Sequence, residues 1–371
     1  YKVYWEDGAQ FTPPHDKGVT EEVLAIEDLS SVKTTDEASA IAAGKYEVIG
    51  KEIDDKYIAQ VKAQVVNQKA IDEMQDQIRI VYTPLHGTGN IPARRVMKEI
   101  GFTHVYVVPE QELPDGNFPT VSYPNPEAKE AFELGLKLAK EKDADLVLAT
   151  DPDADRLGVY VKDAKSGEYI PLTGNMSGSL LCEYVLSQKQ AEGKIPADGQ
   201  VVKSIVSTNL IDAVAKAYGA ELIEVLTGFK WIGKQILKNE TTGTGTYLFG
   251  MEESYGCLIG TYARDKDAIS ATAALCEAAA YYKQKGMTLW DAMVAMYEKY
   301  GYYGEKTLNL VMPGLDGLKK MADLMANLRE KPPVEIAGVG VLQQKDYKDG
   351  SVVNVADGAK STMELSGSNV L

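Results

Sequence analysis

Three aspartates, Asp151, Asp153 and Asp155, occupy every second position directly after the apolar segment ADLVLAT. In extended backbone, side chains at i, i+2 and i+4 point to the same side, so the three carboxylates would converge and repel one another unless a cation lay between them. Carboxylate oxygens are the ligands that Mg²⁺ prefers in proteins. Pro152 restricts the backbone of the loop, which suits preorganised ligands. We therefore predict a magnesium site rather than a simple charged turn.

Other segments carry polar or charged groups that could bind an anionic ligand. Arg156 could fix a neighbouring carboxylate or bind a phosphate as a bidentate donor. The segment HGTGN, which begins at His86, predicts either an anion site at the start of a helix or a tight turn. It does not fit a dinucleotide site, because Pro92 stands where the third glycine of that pattern is required.

Two further segments could contact a sugar. Glu252 and Ser254 in MEESYG stand at i and i+2, and such a pair could bind two adjacent sugar hydroxyls. Lys230, Arg264 and Lys266 are cations in a strongly acidic chain, and the alternative for each is an ordinary residue of a surface loop.

The surrounding pattern alternates between strands and helices in two rounds. The first round contains the strands IRIVYTP, THVYVVPE, DLVLA and LGVYVKD, and the second contains QVVKSIVS, AELIEVL and TYLFGMEES. Amphipathic helices separate most of them, with a long one predicted over 125–144, so we expect an α/β fold with largely parallel sheets and a structural repeat. The polar segments all follow strand ends, where open α/β sheets bind ligands, which predicts one shared cleft.

Composition restricts the class of protein. The chain has 371 residues, 44% hydrophobic and 25% charged, as expected for a globular protein of two or three domains. Its net charge of −15 argues against nucleic acid or an anionic membrane as a partner. No apolar run is long enough for a membrane span, and the three scattered cysteines fit a reducing, cytoplasmic environment.

The segments YTPLHGTGN, TDPDADRLGV, TGFKWIG and GMEESYG, in this order, closely resemble the loops of the α-D-phosphohexomutases, the superfamily of phosphoglucomutases and phosphomannomutases. The resemblance extends over essentially the whole chain and is strongest for the phosphoglucomutase branch. It implies tandem α/β domains with mixed sheets sandwiched by helices. The implied domains are the tail of domain 1 at 1–45, domain 2 with the metal loop at 46–192, domain 3 with the sugar loop at 193–305, and the beginning of domain 4 at 306–371.

The resemblance also implies a mechanism. A phosphoserine donates its phosphoryl group to a sugar phosphate, the glucose 1,6-bisphosphate formed reorients, and its other phosphate returns to the serine, with Mg²⁺ held by Asp151, Asp153 and Asp155. The implied substrate contacts are Glu252, Ser254, Lys266, Arg156, Thr227, Gly228, Lys230, Arg264 and His86.

Two features of the family are missing from these residues. The family's serine precedes a histidine, whereas none of the three histidines here, His15, His86 and His104, follows a serine. The terminal phosphate-binding loop of the Arg-Pro-Ser-Gly-Thr type is absent as well. Because both ends also fall within apolar patterns, we expect a piece of a longer protein that is inactive alone. For the oligomeric state, the sequence leaves both a monomer and a dimer open.

Alternatives remain at this point. The double glutamate of MEESYG favours glucose phosphate, but mannose phosphate and pentose phosphate stay open. These residues could also form a non-catalytic module that binds Mg²⁺ and a phosphosugar. A phosphatase of the haloacid-dehalogenase type is disfavoured, since it requires Thr or Val two residues after its second aspartate, where this chain has Asp155 or Leu157.

Overall fold

The computed structural model describes residues 2–371, in which twelve α-helices and fourteen β-strands form. The helices are α1 His15–Leu24, α2 Glu37–Ala42, α3 Lys51–Lys62, α4 Gln68–Met74, α5 Asn90–Ile100, α6 Glu133–Lys142, α7 Gly174–Ala191, α8 Leu210–Ala217, α9 Lys230–Thr242, α10 Ala268–Gln284, α11 Leu289–Tyr300 and α12 Gly314–Glu330. The strands are β1 Arg79–Thr83, β2 His104–Val107, β3 Leu146–Thr150, β4 Leu157–Lys162, β5 Tyr169–Leu172, β6 Gly199–Ser204, β7 Glu221–Val225, β8 Thr246–Glu252, β9 Gly256–Leu258, β10 Glu335–Ile336, β11 Val339–Gly340, β12 Gln343–Asp346, β13 Ser351–Asn354 and β14 Lys360–Thr362.

By their contacts, these residues divide into two units. The first extends to residue 224 and includes 228–303, and the second consists of 225–227 and 304–371. The second unit contains α12, the hairpin β10–β11 and an antiparallel sheet of β12, β13 and β14. Within it, Arg329 at the end of α12 donates hydrogen bonds to Asp346 and Asn369, each 2.8 Å long.

The first unit contains two mixed sheets with corresponding strand order. In the sheet β2-β1-β3-β4-β5, β1 pairs in parallel with β2 and β3, and β3 pairs antiparallel with β4. In the sheet β7-β6-β8-β9, β6 pairs in parallel with β8, and β8 pairs antiparallel with β9. Helices α5 and α6 connect the first three strands of one sheet, and α8 and α9 connect those of the other. The predicted structural repeat is therefore present in the strand order and the helical connections of the two sheets.

The core is built around helix α10. All residues from Ala268 to Ala280 of this helix are buried, as its nearly continuous apolar sequence predicts. Asp267 caps its first turn by accepting the N–H groups of Ile269 and Ser270. The helix packs into one hydrophobic cluster that includes Ile80 of β1 and Phe249 of β8. The same cluster thus supports both sheets and the loops at their strand ends.

The predicted α/β class with mixed sheets and helices is confirmed, and differences are local. The long helix predicted over 125–144 is shorter, because Lys129–Phe132 is a 3₁₀ turn and α6 begins at Glu133. The Asn125 side chain accepts the N–H of Glu127 at 2.8 Å and so favours a turn over a helix start. No helix within residues 2–371 combines the length and apolar composition that crossing a membrane requires.

Candidate functional site

The aspartate loop, residues 151–156, connects β3 to the antiparallel strand β4. The carboxylates of Asp151, Asp153 and Asp155 each offer one oxygen, and these oxygens lie within 4.8 Å of one another. The loop is a tight turn rather than extended backbone, with Ala154 in the left-handed region at φ 58°. The Asp151 carboxylate closes the turn by accepting the N–H groups of Asp155 and Arg156, both at 3.0 Å. The carboxylates thus converge because the chain turns, and not through strand alternation.

Burial and mutual repulsion make this loop electrostatically unusual. Asp151 is only 7% exposed, and burial together with the charges of Asp155 and Asp153 raises its pKa to about 7. Burial also acts to raise the pKa of Asp153, but hydrogen bonding and charge from Lys2 outweigh it, and the pKa is lowered. A cation close to the three carboxylates would relieve the cost of ionising all of them.

A lysine from the beginning of the chain supplies such a cation. The Lys2 ammonium donates to Asp153 at 3.1 Å and also pairs with Asp155. Burial alone would lower the pKa of Lys2, but these two carboxylates raise it. The sequence did not predict Lys2 as part of the site, because no motif surrounds it and it lies far from the aspartates along the chain.

Two observations indicate that the three aspartates of this loop are suited to bind a magnesium ion. The donor set consists of three carboxylates, the hard oxygen ligands that Mg²⁺ takes. An ammonium group already stands against two of them, so the site attracts positive charge. Asp151, Asp153 and Asp155 are the residues that would hold the ion.

Arg156 lies beside the same carboxylates without a close partner. Its Nε atom is 4.0 Å from Asp151 and 3.8 Å from Asp155, and its Nη1 atom is 3.7 Å from Glu127. That Nε atom is buried and has no hydrogen-bond partner among residues 2–371. The guanidinium therefore keeps donors for an anionic ligand.

Lys266 connects the aspartate loop to Glu252. Its ammonium lies 3.3 Å from Asp155, 3.8 Å from Glu252 and 3.1 Å from Asp265, and the side chain is 8% exposed. Burial would lower the pKa of Lys266, but the three carboxylates raise it. Gly256 leaves space for the lysine stem, which a Cβ atom at this position would strike. Two segments that lie a hundred residues apart in sequence therefore share one cation.

Glu252 ends β8 in a buried position, 7% exposed. Its carboxylate accepts the N–H of Gly228 at 2.8 Å, and Gly228 adopts φ 106°, which favours glycine. Burial raises the pKa of Glu252 although Lys266 and the Gly228 N–H act in the opposite direction. Ser254 is half-buried in the turn that follows, and its hydroxyl makes no hydrogen bond within the described chain.

The remaining predicted contacts make other interactions. Lys230 lies 3.8 Å from Asp16 and its ammonium stands over the Trp231 ring. Arg264 pairs with Glu240 at 2.5 Å, but it also lines a cavity together with Asp155 and Lys266, and its buried Nη1 atom has no hydrogen-bond partner among residues 2–371. Thr227 belongs to the second unit, where its hydroxyl lies 3.4 Å from that of Ser368.

His86 is held by protein groups at both ring nitrogens. Nδ1 lies 3.1 Å from the carbonyl oxygen of Leu113, and Nε2 lies 2.9 Å from the hydroxyl of Thr120. The residue is 6% exposed. In this structure the imidazole fixes the loop between β2 and α6, and a contact to substrate stays a prediction.

A cavity of about 770 Å³ adjoins the aspartate loop. It is lined by Lys2, Asp153, Asp155 and Lys266, and also by residues of α3 and α5 that include Tyr57 and Arg95. This volume is large enough for a phosphorylated sugar. The contribution of α3 and α5 carries no motif and was not predicted.

Comparison with known proteins gives matches over most of the chain. Residues 55–167 match the model of the phosphoglucomutase/phosphomannomutase alpha/beta/alpha domain II, and residues 173–300 match that of domain III. The chain is 32% identical to a phosphoglucomutase of Staphylococcus saprophyticus over 100% of its own length and 65% of the relative's. It is 35% identical to a probable phosphomannomutase of Haemophilus influenzae, covering 99% of the chain and 72% of that protein.

Solved structures show the same fold. A putative phosphomannomutase from Thermus thermophilus superimposes with a TM-score of 0.55 at 22% identity, covering 69% of the chain and 52% of that structure. The chain thus spans about two thirds of the staphylococcal relative's length and about half of this structure. The matches to both domain models and the identity to the Haemophilus relative show that the chain belongs to the phosphoglucomutase/phosphomannomutase family of the α-D-phosphohexomutase superfamily.

Proposed function

We propose that these residues are the metal-binding and sugar-binding parts of a phosphoglucomutase, which interconverts glucose 1-phosphate and glucose 6-phosphate. The observation that carries the proposal is the Lys266 ammonium, 3.3 Å from Asp155 and 3.8 Å from Glu252. Glu252, which is suited to bind sugar hydroxyls, and Asp155, which is suited to bind Mg²⁺, therefore both lie close to the same ammonium group. A sugar phosphate bound by Glu252 would therefore bring its phosphate towards the aspartate loop.

The roles of the residues follow from their chemistry. Glu252 and Ser254 would bind two adjacent hydroxyls of the sugar, one as acceptor and the other as donor or acceptor. Lys266 and Arg156 would bind phosphate oxygens, Arg156 through its guanidinium group. Mg²⁺ held by Asp151, Asp153 and Asp155 would neutralise the charge that develops during phosphoryl transfer.

The remaining assignments come from family resemblance. Thr227, Gly228, Lys230, Arg264 and His86 are proposed as further substrate contacts, and glucose 1,6-bisphosphate as the intermediate and activator. The division into domains at 1–45, 46–192, 193–305 and 306–371 is part of the same proposal. Phosphoryl transfer requires a serine loop that these 371 residues do not contain, so we expect the chain alone to bind ligands without turnover.

The sugar is proposed as glucose because MEESYG resembles the glucose-phosphate branch. Mannose phosphate is the second candidate, since one close relative is a probable phosphomannomutase. Pentose phosphate is the third, because related phosphopentomutases also carry the double glutamate.

Phosphorus NMR tests the proposal. Glucose 1-phosphate, Mg²⁺ and a trace of glucose 1,6-bisphosphate are incubated with a full-length enzyme that contains these residues and a serine loop, and in parallel with the 371-residue chain. We expect glucose 6-phosphate without free phosphate from the former, abolished by Asp153→Ala, and no conversion by the latter. Release of inorganic phosphate would contradict a mutase, and turnover by the chain alone would contradict the need for a serine loop.

A further inference from the structure

The loop after β1, residues 84–89, contacts the aspartate loop directly. The backbone N–H of Thr88 donates to the carbonyl oxygen of Pro152 at 2.9 Å, and the Thr88 hydroxyl donates to the same oxygen at 3.0 Å. Pro152 lies between Asp151 and Asp153. Two donors from one residue therefore hold the peptide that separates two of the three carboxylates.

Three backbone N–H groups of this loop donate to other backbone groups of the protein. His86 N–H donates to Gln111, Gly87 N–H to Pro84 and Thr88 N–H to Pro152, at 3.0, 2.8 and 2.9 Å. These three N–H groups are therefore engaged within the protein. The segment HGTGN forms a tight turn, closed by the bond from Gly87 N–H to Pro84, and an anion site at the start of α5 stays a prediction.

Both glycines of the turn stand where a side chain would collide with backbone or buried groups. A Cβ atom on Gly87 would lie 2.7 Å from the carbonyl oxygen of Pro152, with the Pro152 Cα atom closer still. A Cβ atom on Gly89 would lie 2.6 Å from the Thr150 hydroxyl and 2.8 Å from that of Tyr82. Neither glycine has a positive φ, so close approach to β3 and its loop is the reason for glycine here.

The far side of the turn is anchored as well. Leu85 and His86 adopt positive φ values of 47° and 58°, which are strained for residues with side chains. The two ring contacts of His86 and the bond from Asn90 to the carbonyl oxygen of Glu112, at 2.7 Å, fix the turn to the β2–α6 connection. A strained turn held from both sides is stiff enough to set the position of its neighbour.

We infer that residues 86–89 form a buttress that positions the aspartate loop for its cation. Gly87 and Thr88 act through Pro152, and they set the separation of Asp151 and Asp153 without contacting the ion. The inference rests on the proposed magnesium site and adds to it the residues that tune its affinity.

Magnesium titration by calorimetry tests the buttress in the 371-residue chain. We expect Gly87→Ala to weaken Mg²⁺ binding about 10-fold to 100-fold, the range for residues that orient metal ligands. Gly116→Ala is the matched control, because Gly116 lies in an exposed loop with free space around its Cα atom, and its affinity should equal that of the unsubstituted chain.

A second pair of variants leaves the backbone undisturbed. Thr88→Val removes the hydroxyl donor and should weaken Mg²⁺ binding severalfold. Thr88→Ser keeps the hydroxyl and should bind Mg²⁺ with the affinity of the unsubstituted chain. Thermal unfolding in EDTA is measured for every variant, since a purely structural role would change stability and leave Mg²⁺ affinity unchanged. Unchanged affinity in both Gly87→Ala and Thr88→Val would overturn the buttress alone. Failure of the unsubstituted chain to bind Mg²⁺ would overturn the metal site, and the buttress with it.

Discussion

The aspartate loop and the turn at 253–255 occupy corresponding positions in the two sheets. Each leaves a strand that pairs in parallel on one side and antiparallel on the other, β3 in one sheet and β8 in the other. The first loop has six residues with three carboxylates, and the second has three residues that follow a buried glutamate. One repeated topology thus carries the proposed cation site in one sheet and the proposed hydroxyl-binding site in the other.

The two loops are also supported from corresponding places, but by different means. The turn after β1 supports the aspartate loop through backbone, because Gly87 and Thr88 contact Pro152. The end of β6 supports the other turn through side chains, because the Ser204 hydroxyl donates to Glu253 at 2.9 Å and lies 2.9 Å from that of Ser207. A metal site requires oxygens at fixed separation, whereas hydroxyl binding tolerates small displacements. The support through backbone contacts therefore lies beside the proposed site that requires the stricter geometry.

The largest effect is expected from Asp153→Asn. This side chain is 60% exposed, and the carboxylate that closes the turn is that of Asp151, so the substitution removes an anionic ligand without opening the turn. Mg²⁺ affinity should fall on the order of 1000-fold, since even residues that only orient metal ligands cost about 10-fold to 100-fold. Calorimetry with Mg²⁺ measures the loss, and glucose 6-phosphate binding without metal is the control. An equal loss of sugar-phosphate binding would contradict separate roles for the two loops.

The second-largest effect is expected in the core that both sheets share. It tests whether the free energy of unfolding can change while the affinities for Mg²⁺ and glucose 6-phosphate stay the same. Glu277 of α10 accepts the N–H groups of Val66 and Asn67 and the hydroxyl of Tyr184 through one oxygen, while the other oxygen has no partner. Burial raises its pKa from 4.5 to about 7. Protonated Glu277 makes its full contribution to the free energy of unfolding below pH 4.5, and this contribution is lost as pH rises through 7.

Glu277→Gln should therefore be more stable than the unsubstituted chain above pH 7, by at most about 3 kcal/mol, and should lose this advantage near pH 4. Denaturant unfolding between pH 4 and 8 measures the difference, with the exposed Glu298→Gln of α11 as control. Mg²⁺ and glucose 6-phosphate affinities should not change. A pH-independent difference would contradict the raised pKa.

The sequence predicted the strands and the convergence of acidic groups better than it predicted their supports. The aspartates and Glu252 stand in short patterns with chemical meaning, and strand ends bring such patterns together. Lys2 has no chemical motif around it, and only the tertiary fold brings it to Asp153. Helix α7 was not predicted, because Gly174 and Gly178 weaken the helical signal. The fold requires both glycines, since a Cβ atom on Gly178 would strike Met251 and one on Gly174 would strike the turn at 253–255.

A smaller effect is expected from Glu252→Gln, which tests the proposed hydroxyl-binding site at the end of β8. Glutamine can still accept the Gly228 N–H but loses the charge that faces Lys266. Glucose 6-phosphate affinity should fall about 10-fold, the size of one charged hydrogen bond, and Mg²⁺ affinity should stay within about twofold. Calorimetry with each ligand gives both numbers, and Glu298→Gln again is the control. A larger loss for Mg²⁺ than for the sugar phosphate would assign Glu252 to the metal site.

The smallest effect should come from the side-chain support of the turn at 253–255. Ser204→Ala removes the buried hydroxyl that donates to Glu253, which allows the turn to move but leaves its backbone contact with Gly174. Glucose 6-phosphate affinity should fall about fivefold, near 1 kcal/mol for one neutral donor, and Mg²⁺ affinity should not change. Ser187→Ala in α7 is the matched control, because its hydroxyl donates within its own helix. Since Lys266 pairs with both Asp155 and Glu252, motion of this turn could instead reach the aspartate loop. In that case Ser204→Ala would weaken both ligands equally, and the two loops would be one mechanically coupled site rather than two separately supported ones.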